Sequence, residues 1–360
     1  MKRASAMILL AMAGGAFAAD LTFSGGLERV GHESISIRLA DRRVIDARLP
    51  NTRLLTADKI ASQYQMGDQV QITCKAIQPV LEEETSRMQF LELTRLRFLR
   101  QASPAELAPR PWSDGVNLLS RSTAVTDGPR TVGDSKLTHA RDVNLDYVAN
   151  MPNFVADEIG KRYTNSGKSG EWRLLDTIET EITFKGNSAV RAQIRRDGKP
   201  WSRPFQALPG FKWSGGFGTE IKPIFNPQCP TTIEYVGRAE VRGKPLLEYR
   251  FSSPADGCFG WFTMEYQRYS PARNGRVFIG DPGGNVIQLE EEASGFPAGF
   301  EFAHRKEEVS WDYVKIGDAS HLLPVAANFV VDYSSGSRFR VDLEYRNHRH
   351  FESSTNVTFH

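Results

Sequence analysis

The sequence predicts a mainly β protein in two domains: a small five-stranded N-terminal module and a larger, curved antiparallel sheet with a helix on its concave face. Three observations predict this. First, apolar and polar residues alternate with a period of two along much of the chain. In the clearest run, Phe339, Val341, Leu343 and Tyr345 alternate with Arg338, Arg340, Asp342 and Glu344. Second, one apolar and one charged face per strand describe a sheet covered on one side only, which has to curl around a core, a helix or a ligand. Third, residues 101–137 carry Pro104, Pro109, Pro111 and Pro129 without a sustained period, and read as a linker between two strand-rich regions. A chain of 360 residues is long enough for two domains with their own cores.

The first residues read as an address. Lys2 and Arg3 precede an apolar run from Ala6 to Ala13, and Ala16-Phe17-Ala18 offers small residues for cleavage. Residues 1–19 are therefore expected to be a signal peptide cut near Ala18 or Ala19, with a run too short for a transmembrane helix. The expected location is periplasmic or secreted. The formal net charge is +2, from 45 basic and 43 acidic residues. Loss of Lys2 and Arg3 brings the two signs into balance. Such a neutral chain, 40% hydrophobic and 24% charged, reads as globular, and nucleic acid is not its expected partner.

Residues 20–100 hold the small module. Leu21 to Val30 supplies a first strand, expected to break at Gly25-Gly26. Ile35, Ile37 and Leu39 mark a second strand, and Ile45, Ala47 and Leu49 a third. Thr56 can cap a short helix in which Ile60 and Tyr64 share a face. Val70, Ile72 and Cys74 share one face of the next strand, and Phe90 to Leu99 forms the last. The order of three strands, a helix and two strands resembles an OB-fold. OB-folds that bind oligonucleotides need a basic groove with interleaved aromatics. Here the charges nearly balance, and the aromatics are Phe23, Tyr64, Phe90 and Phe98 alone. A structural or protein-contact role is the expectation.

Residues 138–360 hold the large domain. A helix runs from Thr138 to about Asn150; Pro152 interrupts it, and Phe154 to Ile159 is expected to resume it. Strands follow at about 172–185 and 190–194, then Asp197-Gly198 as a hairpin turn. More strands are expected at 232–241, 245–252, 259–268, 275–280, 285–292, 306–316, 322–333, 337–347 and 350–359. Between them lies Phe211 to Phe225, aromatic and glycine-rich, read as a loop with a short helix that could act as a lid.

Three cysteines occur. In an oxidising compartment, Cys229 and Cys258, both in loop contexts, are expected to form a disulfide. It would stabilise by roughly 3 kcal/mol in the chain-entropy model. Cys74 reads as a buried free thiol.

Several motifs carry a resemblance: Met151-Pro152-Asn153-Phe154-Val155, Ser214-Gly215-Gly216-Phe217-Gly218, Val309-Ser310-Trp311-Asp312-Tyr313 and His321-Leu322-Leu323-Pro324-Val325. With the order of one helix and a long strand meander, they make this region similar to the half-barrel of the periplasmic lipoprotein carriers and their sorting-protein relatives. The chain also resembles secreted proteins of acidobacterial type. Relatives often have a Cys shortly after the Asn-Phe pair, where this chain has Ala156. The resemblance implies a hydrophobic cavity or a partner surface, and no reaction. Its candidate lining is Trp213, Phe217, Ile221, Phe225, Trp261, Trp311 and Leu323.

Catalytic signatures are absent from the sequence. Gly167-Lys168-Ser169 lacks the first glycine of a phosphate loop, where Arg162 stands. The run Asp142-x-Asn144-x-Asp146 lacks the turn glycine and the bidentate glutamate of a calcium loop. The best metal candidate is His348-x-His350, with Glu352 continuing the same strand face. The expected function is a non-catalytic, cofactor-free envelope protein that binds an apolar, lipid-like ligand or an envelope partner. The alternatives are an interaction module whose half-barrel is filled by its own side chains, and a metal-dependent enzyme using His348, His350 and Glu352.

Overall fold

The structure, a computed structural model, describes residues 20–50, 55–77, 90–107, 135–167, 170–186, 188–213, 218–264 and 266–351. The expected signal peptide, Phe217, Glu352 and most of the expected linker lie outside them. Two compact units are present, the first reaching Leu107.

The first unit contains β1 (Leu21–Val30), β2 (Ser34–Arg38), β3 (Val44–Arg48), α1 (Ala57–Gln63), β4 (Gln69–Ile77), β5 (Phe90–Arg100) and a one-turn α2 (Pro104–Leu107). Its strands neighbour one another in the order β3-β2-β1-β4-β5. A parallel pairing of Ala47 with Leu91 and Arg48 with Glu92 joins β3 to β5 and closes the sheet. The inward residues Leu27, Ile35, Ile37, Ile45, Val70 and Ile72 are buried, with Ile60 of α1 beside them. Thr56 caps α1 by accepting from the Lys59 amide. β1 does not break at its glycines. A Cβ on Gly25 would sit 2.2 Å from the Arg38 carbonyl oxygen, so the glycine lets β2 approach an unbroken strand. Cys74 is buried and free, and burial pushes its thiol up to about 12.

The second unit opens with α3 (Ser135–Ala149). The strands β6 (Phe154–Asn165), β7 (Arg173–Lys185), β8 (Ser188–Arg196) and the two-residue β9 (Lys199–Pro200) follow. After a one-turn 3-10 helix (Phe205–Ala207) and α4 (Ile221–Phe225) come β10 (Thr232–Val241) and β11 (Lys244–Ser253). Next are the short β12 (Phe262–Met264) and β13 (Gln267–Tyr269). The chain continues through β14 (Ala272–Gly280), β15 (Val286–Ser294), β16 (Phe302–Ile316), β17 (Ala319–Tyr333) and β18 (Arg338–His350). Eleven of these strands form one curved antiparallel sheet, ordered β10-β11-β14-β15-β16-β17-β18-β6-β7-β8-β9.

Several expectations change here. Phe154 to Ile159 does not resume the helix. It begins β6, which pairs with β18 on one side and β7 on the other, so tertiary pairing satisfies its backbone and overrides local propensity. The run 259–268 gives the β12–β13 hairpin instead of one strand. β18 (Arg338–His350) covers the expected strand 337–347, and the expected strand 350–359 lies outside the described residues apart from its first two positions. The first turn of α3 and all of α2 fall inside the expected linker. Asp197 and Gly198 both have positive φ, 52° and 73°, as a type I′ hairpin turn requires. Cys229 and Cys258 are disulfide-bonded, with Cα atoms 5.6 Å apart.

Candidate functional site

The pairing register lays the inner face of the large sheet out as parallel rows. One row contains Arg273, Ala293, Arg305, Val331 and Phe339 on β14 to β18. The next contains Gly275, Glu291, Glu307, Phe329 and Val341, and continues onto β6 and β7 as Arg162 and Asp176. A third, Val277, Leu289, Val309, Ala327, Leu343, Gly160 and Ile178, is apolar throughout. Alternation within each strand forces this arrangement. Leu289 and Ala293 face inward, so Glu291 between them does too.

A cover outside the sheet lies on this face. Its first part is the strap 201–213. Arg162, fully buried, donates from Nε and Nη2 to Asp176, both at 2.6 Å. Its Nη1 donates to the carbonyls of Pro209 at 2.6 Å and Phe211 at 3.3 Å. Arg196 adds a second guanidinium at 2.8 Å to Asp176. Burial works to raise the Asp176 carboxyl, but the two arginines win and hold it below its ordinary value. Trp213 lies on Gly160, where a Cβ would come within 2.6 Å of the indole, and its Nε1 donates to Glu158 at 2.9 Å. Glu158 also takes both Nε and Nη2 of Arg191, at 2.5 and 2.8 Å. α3 forms another part of the cover. Buried Asn144 donates to the Gly284 carbonyl at 2.8 Å and accepts from the Val286 amide at 3.0 Å.

The other end of the ionic rows is built differently. Arg273 donates to Glu291 at 2.5 Å and to the Gly260 carbonyl at 3.3 Å. Arg305 donates to Glu307 and lies 3.8 Å from Glu291. Both guanidiniums are covered by rings. Phe262 is 4.8 Å from Arg273 and 5.6 Å from Arg305, with Phe259 and Phe329 beside them. Glu220, at the start of α4, is close enough for its charge to act on Glu291, Arg305 and Glu307. Arg273 Nε, Glu291 Oε2 and Glu307 Oε1 are buried with no hydrogen-bond partner among the described residues. Burial first, then the neighbouring carboxylates, push Glu307 up to about 8 against the pull of Arg305. Burial and Glu291 raise Glu220 as well.

Of the residues singled out in the sequence, Trp213, Ile221, Phe225, Trp311 and Leu323 meet in one packed core cluster. Trp311 is completely buried there. Trp261 stands apart, half-buried under the Arg268 guanidinium at 5.2 Å. A β-bulge between Arg346 and Arg349, with Asn347 at φ 53°, changes the alternation of β18 just before the histidines. His348 turns inward, meets the Pro324 carbonyl at 3.1 Å and packs on Phe154. His350 faces His321, with ring centroids 6.4 Å apart. Among the described residues no group of three or more His, Cys, Asp or Glu side chains is arranged to hold a metal ion. No helix among them is long and apolar enough to cross a membrane.

No protein-family model and no curated protein matches the chain. Several solved structures show some likeness. A DUF1329 family protein from Desulfovibrio piger is 10% identical with a TM-score of 0.31, over 62% of this chain and 96% of its own. A domain described as outer membrane lipoprotein-sorting, from Vibrio parahaemolyticus, is 9% identical with a TM-score of 0.31, over 61% and 94%. A LolA superfamily protein from Nitrosomonas europaea is 10% identical with a TM-score of 0.24, over 63% and 96%.

Sequence reasoning missed Glu158, Arg162, Arg273, Glu291 and Glu307. The signal was present for the last three. Glu291 and Glu307 stand two residues from an inward apolar neighbour on their own strands, Leu289 and Val309, and Arg273 stands four residues from Val277.

Proposed function

We propose that the large unit is a non-catalytic binding protein for an amphiphilic, lipid-like ligand. One observation carries this reading. The inner face of the sheet is zoned, with ionic groups in two rows and a wholly apolar floor beside them, beneath a cover that belongs to no strand. A static core gains little from buried ions, because taking each charge from water costs several kcal/mol. A face that meets both the polar and the apolar part of a ligand uses them. The polar row would orient the head, and Val277, Leu289, Val309 and Ala327 would lie under the tail once the cover moves aside. The disulfide fits work in an oxidising compartment such as a periplasm or the cell exterior.

Fluorescence titration of the full chain with single-chain amphiphiles tests this. Trp213 and Trp311 border the expected ligand space, so saturable binding should shift their emission. Native mass spectrometry should show the same adducts. Absence of saturable binding by any of them overturns the reading. A second reading, an interaction module with a filled half-barrel, has its own support in the complete burial of Trp311, Phe225 and Leu323. It expects no adducts and capture of an envelope protein instead.

A further inference from the structure

Resting on the amphiphile reading, we propose that the carboxyl cluster of Glu291, Glu307 and Glu220 receives a primary ammonium head group. The charges facing one another are three carboxyls, from β15, β16 and the start of α4, and two guanidiniums, from β14 and β16. With all three carboxyls ionised the cluster is short of one positive charge; in the free protein the proton held on Glu307 makes up the difference, and a bound ammonium takes its place as that proton leaves to solvent. The cluster is also short of donors, since Glu291 Oε2 and Glu307 Oε1 are buried acceptors without partners among the described residues. In a low-dielectric interior each such atom carries the full cost of its lost hydration.

The two arginines do not offer an anion site. Arg273 gives Nη1 to Glu291 and Nη2 to the Gly260 carbonyl, with Nε alone left bare, and Arg305 donates to Glu307. Phe259, Phe262 and Phe329 lie along the guanidiniums. An incoming carboxylate or phosphate would meet these rings and three carboxyls. A hydroxyl brings one donor and no charge. An ammonium brings three donors and the missing charge, so it alone answers both deficits. Glu291 and Glu307 stand directly opposite one another on neighbouring strands, and although Arg305 donates to Glu307 and lies 3.8 Å from Glu291, one oxygen of each carboxyl stays bare. Beside them runs the apolar floor, which fixes the ligand as an amine with an alkyl tail.

The test compares dodecylammonium, dodecanol, dodecanoate and tail-less ethylammonium as ligands of the full chain near neutral pH. Dodecylammonium should bind about tenfold or more tightly than dodecanol, the size of one charge-assisted hydrogen bond. Dodecanoate should be weaker than either, and ethylammonium weak for want of a tail. Glu291→Gln and Glu307→Gln should each bring dodecylammonium close to the affinity of dodecanol. Using both variants keeps the test open if one fails to fold. Equal binding of dodecylammonium and dodecanol, or a preference that survives both substitutions, overturns the proposal; internal water would then be the partner of the bare oxygens. Failure of all the dodecyl ligands overturns the amphiphile reading as well, so the two failures are distinct.

Discussion

Two buried ionic sites share one row of the same sheet, and they are finished to different degrees. At the β6–β7 end, Arg162 uses Nε, Nη1 and Nη2, and Asp176 is held by two arginines. At the β14–β16 end, three buried polar atoms on Arg273, Glu291 and Glu307 have no partner among the described residues. Both sites carry the cost of desolvation, but only the first repays it within the chain. The saturated site fastens something, since two of its hydrogen bonds end on the backbone of the strap. The unsaturated one fastens little, and its unmet acceptors are what a ligand could meet. Buried charge alone does not distinguish anchor from receptor; the tally of partners does.

The largest effect should come from breaking the saturated site. Arg162→Met leaves Asp176 buried with only the partly exposed Arg196 beside it, and frees the strap carbonyls. A loss of about 3–5 kcal/mol in the unfolding of the large unit is expected in urea titrations. A loss below about 1 kcal/mol would mean that the site is no anchor. Next in size is Gly160→Ala. The new methyl would stand 2.6 Å from the Trp213 ring, so the indole has to move off β6. Overpacking of this kind costs about 1–3 kcal/mol. It should redshift Trp213 emission and speed amide exchange across 205–213, with β14 to β16 unaffected.

Much of this fold is legible in sequence, because alternation is a local signal. The strands, the Asp197-Gly198 turn and the Cys229–Cys258 bond follow from it and from loop context. The site is less legible. Lys306-Glu307-Glu308 looks like a solvated edge, and only the inward Val309 two residues later shows that Glu307 points to the core. Phe154 to Ile159 looks helical because neither of its strand partners is near it in sequence. Misreading that strand hides Glu158 and Arg162 together. The bulge at Asn347 reverses the facing of His348, and a β-bulge is set by pairing that no period of two reveals.

The unsaturated site should announce itself through pH. The Glu307 carboxyl rises from an ordinary 4.5 to about 8 in the folded chain. Between those values the folded state holds a proton that the unfolded chain has released. Its contribution to stability is complete below about pH 4.5 and is lost as pH climbs through about 8. Urea midpoints should therefore fall from pH 5 to pH 8, as the linkage relation requires. Glu307→Gln, which keeps the shape of the neutral form, should flatten that slope. Asp176 has the opposite sign. Its carboxyl is held down, so its contribution is present at neutral pH and lost only in acid, as pH falls through its lowered value. A slope unchanged in Glu307→Gln would show that this carboxyl is charged in the folded protein, and the contrast between the two sites would shrink.

The smallest effect belongs to the outer face of the same strand. Arg276 stands three residues from Arg273 on β14 but points outward, where it meets Glu290 at 2.5 and 3.0 Å and Glu248 at 3.4 Å. Its bonds are as short as those of Arg273, so geometry alone would rank the two together. Solvent makes the difference. Water competes for the exposed pair and salt screens it, which holds such bridges to about 0–1 kcal/mol. Arg276→Gln should cost no more than that, and the cost should vanish in high salt. Glu290, left without its partner, simply hydrates, whereas Asp176 without Arg162 cannot. A loss in Arg276→Gln as large as that in Arg162→Met would make bond geometry, and not burial with complete partnering, the property that separates an anchor from an ordinary ion pair in this sheet.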